Sequence, residues 1–289
     1  MEAMNPTPTQ EPNRMSVPFP TPFDVLALLG IFFVSQIGVM LFASLVLLAT
    51  GQGLADLTPE ARGGYLALTT LLSLAIAAGA FLWYRYVRGG KWLSMGLAWR
   101  RFRPMLLLWA FVMMSTAGVL LEPLYELMPM LHQDVGRGLW SIVAVVVIAP
   151  VFEEFICRGF LFGSLRERYG TTRAVLFSSL FFGILHLQPV AVINAFVMGV
   201  VLAVVYAMTR TLWAPILLHA ANNALAYLLI VAGCSEMRFS ELFGGERWLY
   251  LLFYGATLCL FAWSVWSLWQ MVPRKAPMQA SSDKNEGSM

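Results

Sequence analysis

The stretch Pro150-Val151-Phe152-Glu153-Glu154-Phe155-Ile156-Cys157-Arg158-Gly159 decides how this chain is read. It sets two carboxylates and one guanidinium inside a segment otherwise apolar enough for lipid. The run before it, Leu139 to Ala149, carries no charge, and neither does Phe160 to Phe162 after it. One such charge at the centre of a membrane helix costs roughly 2.5–3.5 kcal/mol on insertion scales. A chain that does this three times in six residues must recover the cost locally or use the groups for chemistry.

The surroundings fix the class. Of 289 residues, 59% are hydrophobic and only 12% charged, with mean hydropathy +0.70, where soluble domains carry about 25% charge. This composition predicts an all-α, polytopic, integral membrane protein. The net charge of +3 forms no basic stripe, so nothing points to nucleic acid. Cys157, Cys234 and Cys259 give neither a disulfide framework nor a metal-binding pair and read as packing residues.

Working outward, apolar runs predict about eight spans: Val25–Leu48, Tyr65–Tyr84, Met105–Leu121, one starting near Trp140, Ala174–Leu187, Val190–Met208, Trp213–Val231 and Trp248–Trp269. Thr58-Pro59-Glu60 is a helix-start signal. The Lys and Arg residues alternate between loops so that both termini are expected inside. A basic loop, Arg85, Arg88, Lys91, Arg100, Arg101 and Arg103, would face the cytoplasm. Residues 1–20 and 272–289 are expected to be disordered tails. Residues 21–271 form the membrane domain, with a catalytic core over 139–231 around a central polar cavity.

Spacing sorts the charges. Residues four apart share a helix face, so Glu154 and Arg158 pair. Glu153 has no partner in its own helix. A carboxylate so placed in a low-dielectric cavity is a candidate general base. Pro150 is expected to kink the helix beside the carboxylates, and Gly159 with Gly163 permits close approach of a neighbour. Two later spans carry polar points: Phe182-Gly183-Ile184-Leu185-His186 and His219-Ala220-Ala221-Asn222-Asn223. The rise per residue puts Glu153 and His219 at one depth and His186 nearer the outer face. Each point also has a plain structural reading: an ion pair for Glu154 and Arg158, helix packing for His186, interhelical hydrogen bonding for His219 and Asn223. His132, Gln133 and Asn194 read as structural or surface residues.

Together, Glu-Glu-x-x-x-Arg, Phe-x-x-x-His and His-x-x-x-Asn, in this order and each inside a span, resemble the motifs of the CPBP family. That family comprises type II CAAX prenyl endopeptidases and bacteriocin-processing or self-immunity proteins. The resemblance implies an eight-helix fold with a conical cavity and glutamate-dependent peptide cleavage. It implies Glu153 as the base, Glu154 and Arg158 as its support, His186 helping to hold the water, and His219 with Asn223 as the oxyanion site. The expected substrate is a membrane peptide or lipidated protein, of the prenylated CAAX type in eukaryotic and archaeal relatives. No cofactor is required; zinc is permitted, and Glu153, His186 and His219 would then be its ligands. The alternative expectation is a non-proteolytic immunity or scaffold protein that binds a peptide. A proton-coupled transporter would use buried Glu and His, but no inverted repeat is visible. Oligomeric state is not readable.

Overall fold

The computed structural model describes residues 19–88, 96, 103–125, 127–128, 135–234 and 241–272. The two expected tails (apart from residues 19, 20 and 272), Lys91, Arg100, Arg101, Glu126, His132, Gln133 and Asp134, and residues 235–240 of the mixed-charge loop lie outside them. Among the described residues all regular structure is helical. The main helices are α1 (Pro22–Ala49), α2 (Pro59–Val87), α3 (Pro104–Leu120), α4 (Leu139–Tyr169), α5 (Thr171–Ile184), α6 (Pro189–Thr209), α7 (Trp213–Val231) and α8 (Arg247–Met271). The eight expected apolar segments are all helices. Six are long and apolar enough to cross a membrane; α3 and α5 are shorter. The chain is an integral, multi-pass membrane protein.

Local chemistry sets the helix starts. Thr21 caps α1, accepting from the Asp24 amide while the Asp24 carboxylate accepts from the Thr21 amide. Asp24 lies one residue before the expected start of the span, yet it is a buried junction. It also accepts from the Tyr84 hydroxyl (2.7 Å) and from Arg88 Nε (2.9 Å), tying α1 to the end of α2. Thr58 caps α2 with Pro59 in the first turn, as its sequence signal predicts. Arg85 corrects an expectation. It is no loop cation but part of the last turn of α2, where it is buried, donates to Ser164 Oγ, and lies over the rings of Phe19 and Phe160.

Pro150 does not end the helix. α4 runs on through it with two widened stretches, Val143–Ile148 before and Phe155–Phe162 after. In these, N–H groups reach the carbonyl five residues back. Ala149 N–H, for example, bonds Ala144 O.

Two apolar clusters hold the bundle. One gathers Leu28, Phe32, Leu74, Phe81, Phe160 and Phe181 from α1, α2, α4 and α5. The other gathers Leu106, Met114, Leu202, Val205, Leu218 and Leu268 from α3, α6, α7 and α8. Between α3, α6 and α8 lies a cavity of about 170 Å³ lined only by apolar side chains, Val201 and Leu268 among them. It is distinct from the polar residues singled out above. Large apolar side chains are exposed along α1 and α8, including Leu45 and Leu252, the surface a lipid-facing helix presents.

Candidate active site

α4 and α5 form a hairpin turned at Gly170, whose φ of 84° suits glycine. From this turn the two arms have equal lengths: Glu154 stands as far up α4 as His186 stands beyond the start of α5, roughly 22 Å at 1.5 Å per residue. Arg158 is level with Phe182 in the same way, and its guanidinium carbon lies 4.7 Å from the Phe182 ring centroid. This accounts for the depth at which the sequence placed His186. α5 starts level with the lower end of α4, whose Tyr169 lies well below the carboxylates.

Glu154 is the hub. Its Oε1 accepts from Arg158 Nη1 at 2.8 Å and from His219 Nδ1 at 3.0 Å. Arg158 spends a second donor, Nη2, on Gly199 O of α6 at 2.9 Å. Glu154 and Arg158 are wholly buried, with side-chain exposure of 0% each. The pair that helix spacing predicts therefore exists, and it reaches two further helices. Because Glu154 is paired with a cation, the His219 proton resides on Nδ1. The other nitrogen, Nε2, then faces Glu153 Oε2 at 3.8 Å, too far for a direct hydrogen bond. Glu153 keeps 16% of its side-chain surface exposed where Glu154 keeps none, so Glu153 is the carboxylate an incoming water can meet.

Phe182 joins the second histidine to the group. Its ring meets His186 at 5.0 Å and His219 at 5.4 Å, both edge-on. Its carbonyl accepts from His186 Nδ1 at 3.0 Å, which leaves His186 Nε2 for another partner. Asn223, one turn beyond His219, donates to Val145 O at 2.9 Å. Glu153, Glu154, Arg158 and His219 are thus brought together directly, His186 is brought to them through Phe182, and Asn223 reaches the same helix α4 higher up. Glu154 Oε2 and Arg158 Nε, both buried, have no hydrogen-bond partner among the described residues.

Two comparisons with known proteins found a match. Residues 135–225 match the family model "Type II CAAX prenyl endopeptidase Rce1-like". The chain is also 33% identical over 88 residues to "Putative membrane peptidase YdiL" of Bacillus subtilis (strain 168). That match spans 30% of this chain and 36% of the relative's length. No solved structure matches the chain. The matched residues run from just before α4 into α7 and contain all three motifs.

Among the described residues no three His, Cys, Asp or Glu side chains are grouped to hold an ion. His219 Nδ1 is committed to Glu154 and His186 Nδ1 to a carbonyl, so on each ring Nε2 is the nitrogen left for a water or another ligand. Sequence reasoning missed Gly199, whose carbonyl holds Arg158, and the Val145 carbonyl. Gly199 sits in the apolar run Phe196-Val197-Met198-Gly199-Val200 with no polar signal. Only the need of a buried guanidinium for several acceptors pointed to such a partner.

Proposed function

We propose that this protein is an intramembrane endopeptidase that hydrolyses a peptide bond of a membrane-associated substrate with glutamate-activated water. The observation that carries the reading is the His219 bridge: Nδ1 on Glu154 at 3.0 Å and Nε2 facing Glu153 at 3.8 Å, within the residues that match the Rce1-like family model. A water at hydrogen-bonding distance from both Glu153 Oε2 and His219 Nε2 fits that gap. Glu153 takes a proton from this water as its oxygen adds to the peptide carbonyl. The proton then goes to the leaving amine, so the hydroxyl ends on the new carboxyl and the hydrogen on the new amine. Glu154, paired with Arg158, orients His219, in the way a buried carboxylate orients the histidine of a catalytic triad. His186 Nε2 helps to hold the water. The second amide hydrogen of Asn223 and His219 Nε2, when protonated, stabilise the oxyanion.

The reading needs no metal, and none of its steps passes through one. Both termini are placed on the cytoplasmic side, because the loops expected there carry most of the Lys and Arg. The substrate class is a membrane peptide or lipidated protein. The test is cleavage of lipidated and unlipidated peptides by purified protein in lipid, comparing wild type with Glu153→Ala, His186→Ala and His219→Ala. The expected result is cleavage by wild type, undiminished by a chelator, with losses of about 10²–10⁴-fold in each variant. Equal cleavage by all four proteins overturns the proposal, and binding without cleavage by wild type supports an immunity or scaffold protein in its place.

A further inference from the structure

Asn223 carries a duty set by the backbone of α4. In an ordinary α-helix, Val145 O would accept from the Ala149 amide. Here the turn is widened, and Ala149 N–H bonds Ala144 O instead. In that register the donor owed to Val145 O is the amide of residue 150, which is proline and has none. The carbonyl is orphaned by the coincidence of the wide turn and the proline. Asn223 Nδ2 fills the place at 2.9 Å. A backbone acceptor at this depth, left without a donor, would be expensive in lipid.

The geometry assigns Asn223 the role of a register lock: its side-chain amide replaces the backbone donor missing at Pro150 and thereby holds the wide turn that aims Glu153. Each extra residue taken into a turn rotates everything downstream. The width of the Val143–Ile148 stretch therefore decides which way Glu153 and Glu154 face. The same face of α7 supplies both ties to α4, since His219 and Asn223 are one turn apart. His219 grips Glu154 below and Asn223 grips Val145 O above, so Glu153 is bracketed between two hydrogen bonds from one helix. Asn223 is in this respect a positioning residue. The inference about turnover rests on the peptidase reading; the inference about the helix register does not.

The test is a double-mutant cycle on the full chain in lipid nanodiscs, with Asn223→Ala, Pro150→Ala and the double variant. Asn223→Leu and Asn223→Ser serve as second probes, since a leucine side chain cannot donate and a hydroxyl can. The first readout is amide hydrogen exchange over residues 143–151, which needs no substrate. Asn223→Ala is expected to speed exchange there at least tenfold relative to the rest of α4, and Asn223→Leu to do the same. In the Pro150→Ala background, where residue 150 regains its N–H, Asn223→Ala should change exchange less than twofold. Asn223→Ser should fall between wild type and Asn223→Ala. The second readout is the kcat against KM split: Asn223→Ala lowers kcat with KM within twofold, and the double variant regains part of that loss. Equal effects of Asn223→Ala in the wild-type and Pro150→Ala backgrounds, or unchanged exchange in Asn223→Leu, overturn the lock. Absence of any peptidase activity alongside the coupled exchange pattern would overturn the proposed function and leave the lock standing.

Discussion

At the scale of the residue, the decisive feature is a buried ion pair that does more than cancel its own charges. Glu154 and Arg158 lie four residues apart and are wholly buried. Removing one member of such a pair leaves an uncompensated charge and costs about 3–5 kcal/mol. Arg158→Ala should therefore lower stability by about that much, read as a loss in thermal midpoint in detergent. Arg158→Lys should not restore it. The guanidinium splits its donors between Glu154 and Gly199 O, and one ammonium cannot match that planar fork. A different residue gives a pH prediction. Burial pushes the Tyr125 hydroxyl up to about 12, and that hydroxyl has no hydrogen-bond partner among the described residues. The unfolded phenol loses its proton near 10, where the folded one still holds it. The folded state thus loses stability as pH rises from about 10 to about 12, by an amount on the order of 2 kcal/mol. Tyr125→Phe should remove that alkaline loss in a comparison of unfolding at pH 8 and pH 11. Equal alkaline losses in the two proteins would contradict this.

At the scale of the element, the site depends on close approach between helices. A Cβ added at Gly199 would lie 3.2 Å from Phe182 Cδ1 and from Ser179 Cα and Cβ. Gly199→Ala should push α6 off α5, cost about 1–3 kcal/mol, and lengthen the bond from Arg158. Peptide cleavage should fall with it, more than in Gly38→Ala, where an added Cβ meets nothing within 4 Å. This scale also shows what was legible in the sequence. The pairing of Glu154 with Arg158 followed from helical spacing alone. The common level of Glu153 and His219 followed from counting residues along spans, and the two are in contact. The partners of His219 and Asn223 did not follow. Spacing puts these two on one face of α7, but it cannot say that one meets Glu154 and the other a carbonyl. That second partner exists only because α4 widens before Pro150, and hydropathy carries no trace of turn width. His186 came out too high because the count began where α5 turns apolar. Its true reference is the Gly170 turn.

At the scale of the molecule, apolar runs located each main helix, with most ends within a few residues, since lipid leaves so few ways to satisfy a backbone. It placed α1 from Val25 and so left out Asp24, a carboxylate that holds Thr21, Tyr84 and Arg88 where α1 and α2 meet. It also counted Arg85 among loop cations, because hydropathy cannot tell a loop arginine from one turned inward onto Ser164. The fold brings one group of charges from α4 and α7 into a buried centre and leaves Glu153 as its exposed edge. Peptide hydrolysis by water at that edge is the claim from which the rest descends. Its most direct test is cleavage of a membrane peptide in ¹⁸O-labelled water by the purified full chain, with Glu153→Gln alongside. The account predicts one ¹⁸O in the new carboxyl terminus of the wild-type product and a loss of about 10²–10⁴-fold in Glu153→Gln. Undiminished cleavage by Glu153→Gln, or a product free of label, would contradict it.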